Sequence, residues 1–222
     1  DIPRTIHGGA RVEILVIDDG STDGTAEIAA AHGADHVVRL PSSRGLAAAF
    51  ARGLQASLAQ GADIIVNTDG DHQYRGEDLP RLVEPILQGA ADMVVGDRQV
   101  DTVRHFSPLK RWLQKTGSLV VRWASHTRVP DATSGFRAFS KEAALRLEVF
   151  SSYTYTLDTI IQAGRKGLTV ASVPIVTNEI RRRSRLIKSV PVYVMRSAFT
   201  ILRVFLMYEA LRAFLFLGAI PF

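Results

Sequence analysis

The chain has 222 residues, with 27 Lys+Arg against 22 Asp+Glu for a formal net charge of +5. That length supports one large domain with its own core, and so weak a positive balance does not imply nucleic acid as a partner. Cysteine is absent, which excludes disulfides and thiolate metal sites and fits a reducing compartment.

Residues before Val12 are polar and Gly-rich and read as a loop, with no signal peptide. Val12–Ile17 is an apolar strand that ends in Asp18-Asp19-Gly20-Ser21-Thr22-Asp23-Gly24. A helix over Thr25–His32 follows, with Asp23 or Thr25 as N-cap. His36–Leu40 is a second strand, Gly45–Gln60 an Ala- and Leu-rich helix, and Asp63–Asn67 a third strand. Asp78–Gln88 is helical and Met93–Gly96 another strand. Strands that alternate with helices, and are apolar throughout, predict an α/β fold: a mostly parallel sheet flanked by helices on both faces.

Pro108–Ala124 is an amphipathic helix, with Trp112, Leu113, Leu119, Val120 and Trp123 on its apolar side. Val129–Gly135 is a polar loop and Phe136–Phe139 a short strand. A helix starts near Ser140, where Ser140-x-x-Ala143 lacks a full capping box. Thr156–Arg165 is helical, and Leu168–Val173 is a strand. Thr177–Arg185 is a basic loop, and Leu186 to about Tyr208 forms amphipathic helix broken near Pro191. Arg181, Arg182, Arg183, Arg185, Lys188, Arg196, Arg203 and Arg212 fall among apolar residues here, the pattern of a membrane-surface element. Ala213–Phe222 is apolar; ten residues of helix rise roughly 15 Å, half a bilayer core, so this segment is read as the start of a transmembrane helix. A terminal helix docked on the domain's own core is the alternative. The division is therefore a catalytic domain over 1–185 and juxtamembrane helices over 186–222.

The densest chemistry lies at the end of the third strand, in Asn67-Thr68-Asp69-Gly70-Asp71-His72-Gln73. The carboxylates of Asp69 and Asp71 and the amide oxygen of Gln73 suit a hard divalent cation, Mg²⁺ or Mn²⁺, which often also holds substrate phosphates. An acidic turn capping the sheet is the simpler alternative. His72 is read as structural. A metal at the carboxyl edge of a sheet is where open α/β folds bind ligands. Arg44-Gly45 opens a helix, whose free N–H groups attract anions; a pyrophosphate neighbour and a solvated helix start are both open. Ser134, Gly135 and their backbone N–H groups are suited to cradle a phosphate. Arg137 is a phosphate contact or an ordinary surface charge, and Asp158, on the next helix, faces the site or, as preferred, is a helix-surface charge.

Five motifs occur in one order: Asp18–Thr25, Arg44–Ala47, Asp69–Gln73, Gly96-Asp97-Arg98 and Asp131–Arg137. In this order and spacing the chain resembles the family 2 glycosyltransferases with the GT-A fold, and more narrowly the dolichol-phosphate mannose synthase group. The family pattern carries a further apolar strand ahead of Val12, so the sheet of this chain is expected to lack one strand and part of the base pocket.

The resemblance implies that acidic residues at Asp18 and Asp19, Asp19 first, contact the base and ribose of a nucleotide sugar, joined by Arg44 and Asp69. It makes Asp71 a direct ligand of the ion on the diphosphate. It places Arg98 by the acceptor phosphate, with a surface ion pair to Asp97 or Asp101 as the alternative. In inverting relatives an acidic residue near Asp131 is a general base; here Asp131 serves as base or orients the substrate. Arg182 and Arg185 match loosely a basic loop that closes over the phosphates and excludes water.

The resemblance thus implies an inverting transfer of a hexose from GDP-mannose or UDP-glucose type donors to a polyprenyl phosphate, with membrane lipids as partners, at the cytoplasmic face. A family 2 enzyme with a polysaccharide or lipid-hydroxyl acceptor, or a non-catalytic membrane-binding fragment, are the rival expectations. Homo-oligomerisation is left open. A dinucleotide-dependent dehydrogenase is disfavoured, since no Gly-x-Gly-x-x-Gly follows a strand.

Overall fold

Short apolar runs bounded by turn residues become strands because their two faces are covered by helices. The structure, a computed structural model, describes residues 2–6, 9–99, 108–151, 154–178 and 190–208. Its strands are β1 (Thr5–Ile6), β2 (Ala10–Arg11), β3 (Leu15–Asp18), β4 (His36–Arg39), β5 (Ile64–Asn67), β6 (Met93–Asp97), β7 (Arg137–Ser140) and β8 (Val170–Pro174). Its helices are α1 (Thr25–Ala31), α2 (Leu46–Ala59), α3 (Leu79–Leu87), α4 (Pro108–Ser125), α5 (Lys141–Arg146), α6 (Thr156–Arg165) and α7 (Val190–Tyr208). The tract expected as an N-terminal loop contains the antiparallel pair β1–β2. Two rungs carry no period for a sequence reading to detect.

The sheet is mixed, in the order β5-β7-β6-β8, and β3 and β4 form a separate parallel pair. β6 and β8 run parallel, while β7 lies antiparallel between β5 and β6. The chain reaches β7 from the loop after α4, so β7 begins where β5 and β6 end: Arg137 sits opposite both Asn67 and Val95. This insertion sets the loop before β7 on the same edge as the acidic loop after β5. Among the described strands β3 pairs only with β4, and its apolar Leu15, Val16 and Ile17 are half-buried. α2 spans the break, placing Gly53 against Ile17 of β3 and Phe50 and Leu54 in one cluster with Ile65 of β5.

Alternation along the strands divides the core in two. Ile65, Met93, Val95 and Phe139 face α2, α4, α5 and α6, with Val121, Ile160 and Ile161. Val94 and Ala138 face α3, with Leu82, Val83 and Phe136. Each large apolar side chain removed from water here contributes about 1.5–3 kcal/mol. Ser140 caps α5 by accepting from the Ala143 N–H at 3.1 Å, with no reciprocal Glu, as its sequence predicts. At α1, Asp23 Oδ1 accepts from the Thr25 hydroxyl at 2.5 Å while Gly24 occupies the cap position.

Of the side of α4 expected to be apolar, Leu119, Val120 and Trp123 are exposed, while Ser118, Val121, Ala124 and Ser125 are buried; the side chains of Trp112 and Leu113 lie outside the described residues. Small residues win because α4 approaches α6 closely. A Cβ built on Gly164 would lie 1.8 Å from the Ser125 carbonyl oxygen. Since that neighbour is backbone, no rotamer change relieves it. Gly164→Ala is therefore expected to lower stability by about 3 kcal/mol, read as a shift of the urea midpoint at unchanged slope; a midpoint like wild type would disprove the close approach.

α7 packs against α4 and α6, and Arg203 Nη1 donates to the Phe150 carbonyl at 3.0 Å. Its apolar face, Met195, Phe199, Leu202 and Leu206, is exposed. No described helix is long and apolar enough to cross a membrane. The expected domain boundary at 185 and the apolar segment 213–222 lie outside the described residues.

Candidate active site at the carboxyl edge of the sheet

The acidic loop leaves β5 at Asn67 and turns through His72, which takes a left-handed φ of 62°. Asp71 is exposed and its Oδ1 accepts from the Gln73 N–H at 3.0 Å. The peptide groups on its far side are tied down by Asn178. The Asn178 N–H donates to the Gln73 carbonyl at 2.9 Å and its Nδ2 to the His72 carbonyl at 3.0 Å.

Asp69 is half-buried against the loop before β7, where a Cβ on Gly135 would fall 2.7 Å from its Oδ2. Burial, then the charge of Asp71, raises its pKa above the ordinary carboxylate value, against the pull of Arg98 and Arg137. A carboxylate so placed, beside a like charge, is short of a cation. No three acidic, His or Cys side chains converge on one point among the described residues. A divalent ion, were Asp69 and Asp71 to hold it, would need further ligands, for which the Gln73 amide and a substrate phosphate are suited. The donor set, all hard oxygens, fits Mg²⁺ or Mn²⁺.

Asp131 and Arg98, expected to face the reactants, engage each other. Arg98 Nε and Nη2 grip Asp131 Oδ2 and Oδ1 at 2.7 and 2.9 Å, and Nη2 also donates to Thr133 Oγ1 at 2.7 Å. Both residues are buried. Burial works to raise the Asp131 pKa, but the Arg98 charge and the bonds from Arg98 and Thr133 outweigh it and hold the carboxyl below its usual range. Asp131 is therefore a fixed anion and a weak base. Arg98 pairs with Asp131, and Asp101 lies outside the described residues.

Arg137, expected as a phosphate contact or a surface charge, turns inward. It is fully buried, donating through Nε to the Ser134 carbonyl, through Nη1 to the Thr156 carbonyl and Thr159 Oγ1, and through Nη2 to the Ala132 carbonyl, at 2.7–2.9 Å. Burial lowers its pKa to about 10, which leaves it charged at neutral pH. It ties the loop before β7 to the start of α6 and offers no phosphate a surface. Ser134 is buried in that loop, with a hydroxyl that meets no partner in hydrogen-bonding geometry. Asp158, expected on a helix surface, is buried and accepts from the Phe150 and Ser151 N–H groups and from Gln162.

At the end of β3, Asp18 turns inward. It is buried, accepts from the Ser21 N–H at 2.9 Å and pairs with Arg39 at 3.4 Å. Hydrogen bonding to Ser21 leads the lowering of its pKa, with Arg39 adding. Asp18 thus holds the turn that follows β3. Asp19 accepts from the Arg44 N–H at 2.7 Å, the Gly45 N–H at 2.9 Å and the Ser43 hydroxyl at 2.8 Å. Partial burial opposes its charge, yet these donors hold its pKa below the ordinary value. So Asp19 occupies the N–H groups at the start of α2 that were expected to bind an anion. The Arg44 side chain remains exposed. Arg182 and Arg185 lie outside the described residues.

Sequence reasoning missed Asn67, Tyr74, Tyr155 and Asn178. Asn67 was the one with a signal: a lone amide ending an apolar strand just before the acidic pair.

Comparison with known proteins gives a consistent result. The family described as Glycosyl transferase family 2 matches residues 2–147. Polyprenol monophosphomannose synthase of Mycolicibacterium smegmatis is 32% identical over 189 residues, 80% of this chain and 71% of that protein. Undecaprenyl-phosphate mannosyltransferase of Micrococcus luteus is 31% identical, covering 73% of this chain and 70% of that protein. Among solved structures, glucosyl-3-phosphoglycerate synthase from Mycobacterium tuberculosis, in complex with Mn²⁺, UDP and phosphoglyceric acid, overlays with a TM-score of 0.68 at 23% identity, covering 89% of this chain and 69% of that one. That likeness is one of fold, and the fold is GT-A. With the acidic loop, the Asp131–Arg137 loop and strands β1 to β7 inside the matched residues, the chain belongs to glycosyl transferase family 2.

Proposed function

We propose that this chain is an inverting, divalent-metal-dependent glycosyltransferase that moves a hexose from a nucleotide diphosphate sugar to a polyprenyl phosphate at the cytoplasmic face of a membrane. The carrying observation is the pairing of Asp131 with Arg98. Both Asp131 oxygens are engaged at 2.7 and 2.9 Å, so the carboxylate is poorly suited to deprotonate a hydroxyl acceptor. A phosphate monoester needs no base: with a second pKa of about 6 it is mostly dianionic at neutral pH. The relatives named for polyprenol and undecaprenyl phosphate support the same acceptor class.

In this reading a phosphate oxygen of the acceptor attacks the anomeric carbon from the face opposite the diphosphate. The bond from that carbon to the diphosphate oxygen breaks, the electron pair leaves with the nucleoside diphosphate, and the configuration inverts. Asp69 and Asp71 would hold the ion, which when bound stabilises the charge growing on the leaving diphosphate. Gly135 lies against Asp69. Arg98 and Asp131 keep the loop before β7 in place, and Asp19 fixes the turn leading into α2. The exposed apolar side chains of α4 and α7, Trp123 at 69% and Phe199 at 67% among them, supply a face suited to a bilayer that carries the acceptor. The basic segment 181–185 is suited to meet the lipid-borne phosphate.

The test is an assay with vesicles containing polyprenyl phosphate, Mn²⁺ or Mg²⁺, and labelled GDP-mannose or UDP-glucose. Lipid-extractable sugar phosphate is expected, lost with chelator. Transfer only to a hydroxyl acceptor, or to none, would overturn the reading.

A further inference from the structure

The acidic loop is closed at both ends on the backbone of one residue, Gly135. Asn67, the residue just before the loop, donates from Nδ2 to the Gly135 carbonyl at 2.9 Å. Tyr74, the residue just after Gln73, accepts the Gly135 N–H on its hydroxyl at 2.9 Å. Loop 68–73 therefore starts and finishes on opposite sides of Gly135, and the Asp69 carboxylate lies against the same residue, 2.7 Å from where its Cβ would be. Both holding groups are themselves fixed. The Tyr74 ring stacks on Phe136 with centroids 5.2 Å apart. Asn67 Nδ2 also reaches the Tyr155 hydroxyl at 2.7 Å, which donates to the Gly135 carbonyl at 3.3 Å, and the Tyr155 ring stacks on Phe50 at 3.8 Å. Tyr74 and Tyr155 are buried, so these bonds form out of water, where satisfied polar networks are rigid.

We infer that Asn67 and Tyr74 are positioning residues for the metal: together they set the span of the acidic loop across the backbone of Gly135 and so the placement of Asp69 and Asp71. The inference rests on the proposal that these carboxylates hold a divalent ion. Neither residue touches the ion. Their work resembles that of outer-shell partners around other metal ligands, whose loss weakens metal affinity about 10–100-fold.

The experiment measures Mn²⁺ binding by electron paramagnetic resonance on the whole chain, with UDP or GDP present, for wild type, Tyr74→Phe, Asn67→Ala and Asp71→Ala. Tyr74→Phe keeps the ring on Phe136 and removes only the hydroxyl, so the fold is retained; Asn67→Ala tests the other end independently. The expected result is a Mn²⁺ dissociation constant raised about 10–100-fold in both. The metal concentration for half-maximal turnover moves with it, and kcat at saturating Mn²⁺ stays within about threefold of wild type. Recovery by excess metal is a signature that a merely structural defect lacks. Wild-type Mn²⁺ affinity in both variants, or a kcat loss that no Mn²⁺ concentration restores, overturns the inference. Asp71→Ala separates the two levels: if it abolishes Mn²⁺ binding while Tyr74→Phe and Asn67→Ala do not alter it, the metal site stands and only the positioning role falls. If Asp71→Ala also binds as wild type, both fall.

Discussion

Asp71→Ala is expected to leave the chain folded and to lower turnover roughly a thousandfold, about 4 kcal/mol of transition-state stabilisation. The side chain is exposed, and its carboxylate bonds to the Gln73 N–H beside it at 3.0 Å. Its removal should change stability by no more than about 0.5 kcal/mol. Asp69→Asn should differ in a telling way. Burial and the charge of Asp71 raise the Asp69 pKa, so ionising it costs stability in the metal-free fold. That cost is present above the raised folded pKa and vanishes as the pH falls below the unfolded value. Asp69→Asn is therefore expected to stabilise the metal-free chain by about 1 kcal/mol near neutrality, with the gap closing in acid, while Mn²⁺ binding is lost. In wild type, Mn²⁺ affinity should weaken as the pH drops through the Asp69 pKa, because the proton competes for the same oxygens. Urea unfolding without metal at neutral and acidic pH, paired with Mn²⁺ titration, checks this. Turnover like wild type in Asp71→Ala would remove the metal assignment, and equal stability of wild type and Asp69→Asn at both pH values would remove the electrostatic account of it.

The strands that carry the site were legible because burial on both faces leaves a mark in sequence. Ile64–Asn67 and Met93–Asp97 read as apolar runs with polar ends, and they are β5 and β6. What sequence does not encode locally is order across the sheet. Nothing in Arg137–Ser140 announces that this strand enters between β5 and β6 in the reverse direction, yet that insertion brings Gly135 to Asp69. The outward turn of Leu119 and Trp123 was invisible for a related reason. The amphipathic pattern of α4 was plain, but which side faces the core was decided by a glycine some forty residues away, at the contact of Gly164 with Ser125.

Charged residues were the hardest to place. Asp19 shows in sequence as a carboxylate after a strand; the donors that occupy it, from Ser43 to Gly45, arrive from another loop. Arg137 in a polar loop looks like a surface charge until the carbonyls of Ala132, Ser134 and Thr156 turn toward it. In each case the residue type was right for binding an anion or a nucleotide, and the fold supplied an internal partner first. The acidic loop escapes this pattern. Asp71 remains exposed and Asp69 is pressed against a like charge, so the motif most evident in the sequence is also the one the structure leaves in need of a ligand.

The pairing of Asp131 with Arg98 leads to the second large effect. Asp131→Ala is expected to destabilise the chain by about 3–5 kcal/mol, because it strands a buried guanidinium without its counter-charge. Much of that loss is the penalty on Arg98, so Asp131→Leu combined with Arg98→Met should recover most of the stability, as apolar replacements of buried pairs often do. The double variant separates scaffold from chemistry: if the pair serves only to hold the loop before β7, turnover returns with stability, and if its charges also order the substrates, turnover stays low in a folded protein. The pH dependence follows from the direction of the Asp131 shift. Its folded pKa is depressed, so the stabilisation it gives is complete above the unfolded carboxylate value and is lost only as the pH falls through the folded one. Across the neutral range Asp131 keeps its charge, and no limb of the pH–rate profile there should belong to it. A limb near neutrality instead reports the second ionisation of the acceptor phosphate, and it should move when the acceptor is changed. Were such a limb to vanish in a folded Asp131→Asn variant, with the same acceptor, Asp131 would be a base after all and the acceptor a hydroxyl.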